Sequence, residues 1–189
     1  MMQNSGYIRL AADLQSDSIV DGPGLRTVIW TQGCAHHCKG CQNPQTWDFE
    51  GGGLVPISMV LEAIDELEYQ SGITFSGGDP MFQPEACNEI AEYCKKKGYN
   101  IWTYTGFTFE KILEMSKEKP IYREFLSNID VLVDGPFIQE QRDLSLLFRG
   151  SRNQRLIDVP KTLETGEIVL LNEVEYHEEE VFYRKPIFV

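Results

Sequence analysis

Residues Thr27–Pro44 read TVIWTQGCAHHCKGCQNP. The opening TVIWT is β-branched and aromatic and predicts a buried strand. The next residues place Cys34, Cys38 and Cys41 at C-x3-C-x2-C spacing, three of the chain's five cysteines within eight positions. On a helix these sulfurs would share one face and form an ordinary apolar stripe. Gly33, Gly40 and Pro44 oppose a helix, however, and His36, His37 and Lys39 supply no apolar face beside them. Two metal readings remain. Three thiolates with His36 or His37 would complete a tetrahedral zinc site, although structural zinc usually divides its ligands between two knuckles and no second C-x2-C pair is present. Three thiolates could equally hold a cubane iron-sulfur cluster, leaving one iron without a cysteine and open to a ligand. Cys87 and Cys94 sit with Ile90 and Ala91 on a helical apolar pattern and are expected to be small buried hydrophobes.

Working outward, GITFS (Gly72–Ser76), NIWTY (Asn100–Tyr104) and DVLVD (Asp130–Asp134) predict three more buried strands, and YIRLAA a strand ahead of them all. Helical periodicity lies between them. Val60, Leu61, Ile64 and Leu67 define a helix ending near Gly72, and Cys87 to Cys94 one closed by Lys95–Lys97 and Gly98. A third, with Phe109, Ile112 and Leu113, starts at a Thr108 cap and must stop before Pro120. Strand and helix alternate at roughly 30 residues per unit, the size of a βαβ crossover, so the expected fold is α/β with a parallel sheet covered by helices. RLIDV and GEIVLL predict a closing strand pair with a turn near Gly166.

At 189 residues with a formal net charge of -12, the chain is expected to be one domain with a core at about residues 8–170 and an acidic extension at about 171–189, and to be no general nucleic-acid binder. It shows neither a long apolar run nor a signal-like start, so a cytoplasmic, membrane-free protein is expected. Clustered cysteines in such a compartment favour a metal role over disulfides.

The cysteine loop directly after a first strand, together with FSGGDP (Phe75–Pro80) after the next, resembles the radical S-adenosylmethionine enzymes. That resemblance implies a partial (β/α) barrel with parallel strands, a [4Fe-4S] cluster on Cys34, Cys38 and Cys41, and S-adenosyl-L-methionine chelated by the open iron. Gly77 and Gly78 would let backbone approach the cofactor, and Asp79 could attract its ammonium group. VDGPGLRTVIWTQGCAHHCKGCQNP, ITFSGGDP, YTGFT, VLVDGPF and RDLSLLFRGSRNQRLIDV together look like the activating proteins of anaerobic (class III) ribonucleotide reductases, from about Ile8 to Leu170. By implication the cofactor is cleaved reductively to a 5'-deoxyadenosyl radical, which takes a hydrogen from a glycine of the reductase, with no side chain acting as acid or base. The same resemblance sets Gly40 and Gln42 beside the adenine part and lets Asp134, a strand-end residue, help position the cofactor; a turn-forming role before Gly135-Pro136 is the alternative. Thr103 or Thr105 would line the pocket, and His36 and His37 would be exposed bystanders. Arg142, Arg149, Arg152 and Arg155 form a basic concentration suited to docking the reductase or an acidic low-potential electron donor such as flavodoxin. Alternatives are an activator of another glycyl radical enzyme, a small-molecule enzyme of the deazaguanine synthase kind, or a noncatalytic iron-sulfur or zinc module.

Overall fold

The four apolar runs become the centre of the sheet because each has side chains suited to burial on both faces, which only an internal strand can satisfy. In the computed structural model, which describes residues 6–171, they are β3 (Arg26–Thr31), β5 (Gly72–Gly77), β6 (Asn100–Tyr104) and β7 (Val131–Asp134). They pair in parallel in that order, with Phe75 level with Ile29 and Thr103, and Thr103 level with Leu132. Antiparallel neighbours finish both sides. β1 (Tyr7–Leu10), β2 (Gln15–Ser18) and β4 (Gly53–Pro56) extend the sheet beyond β3, and β8 (Arg155–Asp158) pairs with β7. Among the described residues the sheet runs β4-β1-β3-β5-β6-β7-β8 and does not close on itself. This is the expected α/β fold with a parallel centre, an open partial barrel.

Helices cover one face. α1 (Ile57–Asp65), α2 (Pro84–Lys96), α3 (Phe109–Ser116) and α4 (Ile121–Ser127) supply the crossovers, and their buried residues Ile64, Ile90, Ile112 and Phe125 meet Ile73, Phe75, Ile101 and Leu132 in the main core. Each such side chain, fully buried, contributes about 2 kcal/mol relative to exposure. α1 stops short of the expected end near Gly72, but Leu67 still packs against that core from a tight turn. Thr108 caps α3 as expected, its hydroxyl accepting from the Lys111 N–H at 3.3 Å. Pro120 marks both the end of that crossover segment and the start of α4, since a proline that cannot continue one helix is well suited to open the next.

The closing hairpin does not form. Asp158 accepts from the Lys161 N–H at 3.0 Å, Pro160 occupies the first turn, and the chain enters α5 (Val159–Thr165), which ends at Gly166 in a left-handed conformation, φ 74°. The turn near Gly166 is therefore a helix C-cap, and only a single bridge, Ile157 to Leu170, survives from the expected pair. The acidic extension from 172 onward lies outside the described residues.

β7 and β8 are tied by a buried ion pair. Asp134 is fully buried; its carboxylate accepts both from Arg155 Nε at 2.9 Å and from an Arg155 terminal nitrogen, and it also caps α3 through the Phe109 N–H at 2.8 Å. Arg155 reaches on to Glu110 at 2.8 Å, and this guanidinium holds the Glu110 carboxyl down at about 2. Removing the cation would leave Asp134 charged and unpaired in the interior. Arg155→Met should therefore cost about 3 kcal/mol of stability, read as a lower midpoint in urea unfolding at neutral pH.

Candidate active site

In a parallel sheet every central strand delivers its chain to the same end, and there ligands collect. Beyond Thr31, Gly77, Tyr104 and Asp134 lies a cavity of about 530 Å³, within the usual size for small-ligand sites. Its floor is the sheet face without helices, carrying Trp30, Ser76 and Tyr104, and Phe148 stands against it. Cys34, Cys38 and Cys41 all line this cavity, as do Gln42, Gly77, Gly78, Thr105, Gly106 and Gly135.

The cysteine segment is a loop closed at its base, not a helix. Gly33 and Cys34 donate their N–H groups to Thr46 and Trp47 carbonyls at 2.8 and 3.1 Å. Gln32 spans the same base, its amide donating to the Asp48 carbonyl at 2.7 Å, and Gln83 donates in turn to the Gln32 carbonyl at 3.0 Å. Gly40, φ 76°, permits the turn before Cys41 but lies against Gln139 outside the cavity wall, so it does not face the pocket as expected. Gln42 does.

The glycine pair at the end of β5, Gly77 and the following Gly78, is required by close approach. A Cβ on Gly78 would stand 2.5 Å from the Gly33 carbonyl oxygen, and one on Gly77 2.5 Å from that of Thr31. Backbone bonds seal the contact: Gly78 N–H to Thr31 at 2.7 Å and Asp79 N–H to Gly33 at 3.0 Å. Thus the bare backbone of Gly77-Gly78 faces the cavity directly beside the sulfur loop.

Asp79 has a different use from the one expected of it. Its carboxylate is 1 % exposed and lies behind the cavity lining, where Oδ1 accepts from the Met81 N–H at 2.9 Å. Oδ2 accepts from Thr105 Oγ1 and the Gly106 N–H, both at 2.9 Å, and meets His36 Nε2 at 2.8 Å. With its lone pairs so engaged, Asp79 acts on the pocket through the loops it holds rather than by reaching a ligand ammonium. Asp134 likewise spends its acceptors on Arg155 and α3 and is absent from the cavity wall; the turn-forming alternative is nearer the mark, with Gly135, φ 93°, following it. Thr105 lines the pocket, whereas Thr103, in register with Phe75 and Leu132, faces the helices.

His36 is no bystander. Sequence reasoning missed it because its partners are distant in sequence, and missed the strand residues Trp30 and Tyr104 because alternation shows only that a strand residue has a face, not which face borders a cavity; Phe148, in an irregular segment after β7, carried no signal. His37, at φ 47°, packs edge-on to Trp47 at 4.7 Å. Arg155 is committed to Asp134 and Glu110, which removes it from the docking set; Arg152 pairs with Asp143 at 2.9 Å yet is 73 % exposed.

Cys34 and Cys38 suit metal chemistry better than their own ionisation. Burial, then the neighbouring Asp79, Cys38 and Cys41, push Cys34 up to about 11 against the pull of the His36 backbone N–H, and burial also raises Cys38. Among the described residues no three His, Cys, Asp or Glu groups gather to hold a single metal ion. Three sulfurs along one wall are the donor set of a polynuclear cluster, where each thiolate takes a different iron. The residues present fit such a group.

A family model described as a 4Fe-4S single cluster domain matches residues 20–157. The anaerobic ribonucleoside-triphosphate reductase-activating protein of Haemophilus influenzae is 38 % identical over 146 residues, covering 72 % of this chain and 89 % of that protein. The chain belongs to the anaerobic ribonucleoside-triphosphate reductase-activating protein family. Its counterpart from Escherichia coli K12 is 34 % identical over 145 residues, with 72 % and 90 % covered. Among solved structures, QueE from Escherichia coli overlays with a TM-score of 0.46 at 17 % identity over 56 % of this chain and 55 % of that one. As a member of the activating-protein family this chain is an activating enzyme with an iron-sulfur domain, as the resemblance of its motifs implied, and the zinc and core-stripe readings of the loop fall away. No helix among the described residues is long and apolar enough to cross a membrane.

The Gly33–Gly78 contact can be tested alone. Gly78→Ala should cost about 2 kcal/mol in thermal unfolding of the metal-free protein, whereas Gly53→Ala, where a Cβ meets nothing within 4 Å, should leave the melting temperature unchanged.

Proposed function

We propose that this chain, acting as one domain, generates the glycyl radical of an anaerobic ribonucleotide reductase by radical S-adenosylmethionine chemistry. The observation that carries this reading is the meeting, in one cavity at the parallel strand ends, of three loop thiols and the side-chain-free backbone of Gly77-Gly78. Cys34, Cys38 and Cys41 would hold the [4Fe-4S] cluster, and Gly77, Gly78 and Gln42 would contact S-adenosyl-L-methionine. When bound, these two groups supply one-electron cleavage of the sulfonium to a 5'-deoxyadenosyl radical able to remove hydrogen from a glycine.

The chain's own residues select and shield. Backbone carbonyls of the glycine turn would offer polar contacts to the amino-acid end of the cofactor without a side chain intervening. Trp30, Trp47, Tyr104 and Phe148 give the cavity aromatic walls, which keep water and competing hydrogen donors away from a reactive carbon and leave geometry to choose the target. No protein acid or base is required by this chemistry; Asp21, His36 and Arg149 line the cavity beside the sulfur, glycine and aromatic surface. A reducing cytoplasm, the location read from the composition, would keep the thiols available for metal.

After anaerobic reconstitution with iron and sulfide, Cys34→Ala, Cys38→Ala and Cys41→Ala should each abolish methionine release from S-adenosylmethionine and the glycyl radical signal of an added reductase. Cys87→Ala, at a fully buried position of the helical core, should retain most of both. Equal losses from the two sets would sink the ligand assignment.

Electron supply falls to an acidic donor such as flavodoxin, met by the exposed Arg142 and Arg152 beside the cavity. Arg142→Glu with Arg152→Glu should slow reduction by flavodoxin about tenfold at low salt and flatten its salt dependence, while reduction by dithionite stays unchanged in stopped-flow traces.

A further inference from the structure

One side chain between the first two sulfur ligands is placed too deliberately to be loop filling. The His36 ring joins a three-ring cluster, with Phe107 edge-on at a centroid distance of 4.5 Å, Phe82 at 5.8 Å, and the two phenylalanines 5.4 Å from each other. Gly106 makes room for it, since a Cβ there would stand 2.5 Å from the ring. Its Nε2 meets Asp79 Oδ2 at 2.8 Å. A carboxylate only accepts, so the bond to Asp79 fixes the tautomer with hydrogen on Nε2. The same Oδ2 takes Thr105 Oγ1 and the Gly106 N–H. Most of the segment YTGFT is thereby explained: Thr105 and Gly106 bind Asp79, and Phe107 meets the imidazole edge to face.

We infer that His36 is a positioning residue which, through Asp79, locks the sulfur loop to the Gly77-Gly78 turn so that cluster and cofactor are presented to each other in one orientation. This rests on the function proposed above. The imidazole sits on the cavity side of Asp79, 18 % exposed against 1 %. A hydrogen bond to a fully buried carboxylate, made by a ring packed against two aromatics that also meet each other, leaves neither loop free to shift alone. Outer-shell partners of this kind typically govern affinity or activity by about 10- to 100-fold without touching the reacting atoms.

The test uses His36→Leu, which keeps the apolar packing and removes the donor, and His36→Gln, whose amide nitrogen can occupy the place of Nε2. Each is reconstituted anaerobically, its iron and sulfide are quantified, and the reduced cluster is titrated with S-adenosylmethionine by electron paramagnetic resonance. Expected are wild-type iron and sulfide in both, a midpoint raised about tenfold in H36L, and a midpoint within about threefold of wild type in H36Q. An H36L midpoint equal to that of the wild type overturns the inference, and so does an H36Q midpoint raised as far as that of H36L. Should H36L fail to fold, His36→Asn, polar but too short to reach Asp79, takes its place under the same criteria. A wild-type spectrum indifferent to S-adenosylmethionine would instead remove the proposed function, and this inference with it.

Discussion

Everything at the site hangs on the carboxylate of Asp79. It is buried where four donors from three separate segments converge: the turn after β5, the turn after β6, and the sulfur loop after β3. An isolated buried carboxylate would be expensive, but one saturated by hydrogen bonds is a strong organiser, because each bond gains from the low dielectric around it. Parallel pairing makes the convergence possible. Thr31 is level with Gly77 and Phe75 with Thr103, so the three turns leave the sheet at one height and a single residue can gather them.

The two faces of the sheet divide the work. Side chains pointing to the helices, such as Ile73, Phe75 and Ile101, make a continuous apolar core. The other face is partly polar and must be satisfied without helices. At the end away from the cavity, Arg26, wholly buried, donates from Nε to Thr74 Oγ1 at 2.7 Å and from a terminal nitrogen to the Ile73 and Asn100 carbonyls at 2.8 and 2.9 Å, with its guanidinium 5.6 Å from the Trp102 ring. That cation closes the bottom of the open barrel. The top, with no such plug, remains as the cavity.

Local pattern revealed the four central strands, two helices nearly to their ends, and the sulfur loop, because these depend on neighbours in sequence: alternation, 3.6-residue periodicity, caps and helix-opposing glycines. Where a reading failed, the deciding partner was distant. Asp134 looked like a ligand-facing strand end because Arg155, which claims it, lies 21 residues away. His36 looked exposed because Asp79 and Phe107 come from two other crossovers. The α5 segment shows a different failure: Asp158, Pro160 and Gly166 are good local signals for a short helix, outweighed in the reading by the β-branched residues on either side.

Electrostatics explains why such a framework must be built before metal arrives. Cys34 and Cys38 have raised thiol pKa values because burial disfavours their anions and because Asp79 and the other sulfurs are negative or become so. The backbone N–H groups of His36 and Phe137 offset only part of this. Left to themselves Cys34 and Cys38 keep their protons, which protects a loop that would otherwise carry several like charges in a confined space. On the proposed ligand assignment iron would reverse the balance, since thiolates bound to cations no longer repel and protons are released on binding. The cost of gathering the thiols is borne by neutral hydrogen bonds at the loop base and by the close fit of Gly33 against Gly78, neither of which involves sulfur. Loop shape is therefore set by backbone packing and metal affinity by sulfur ionisation, so the two can be altered separately.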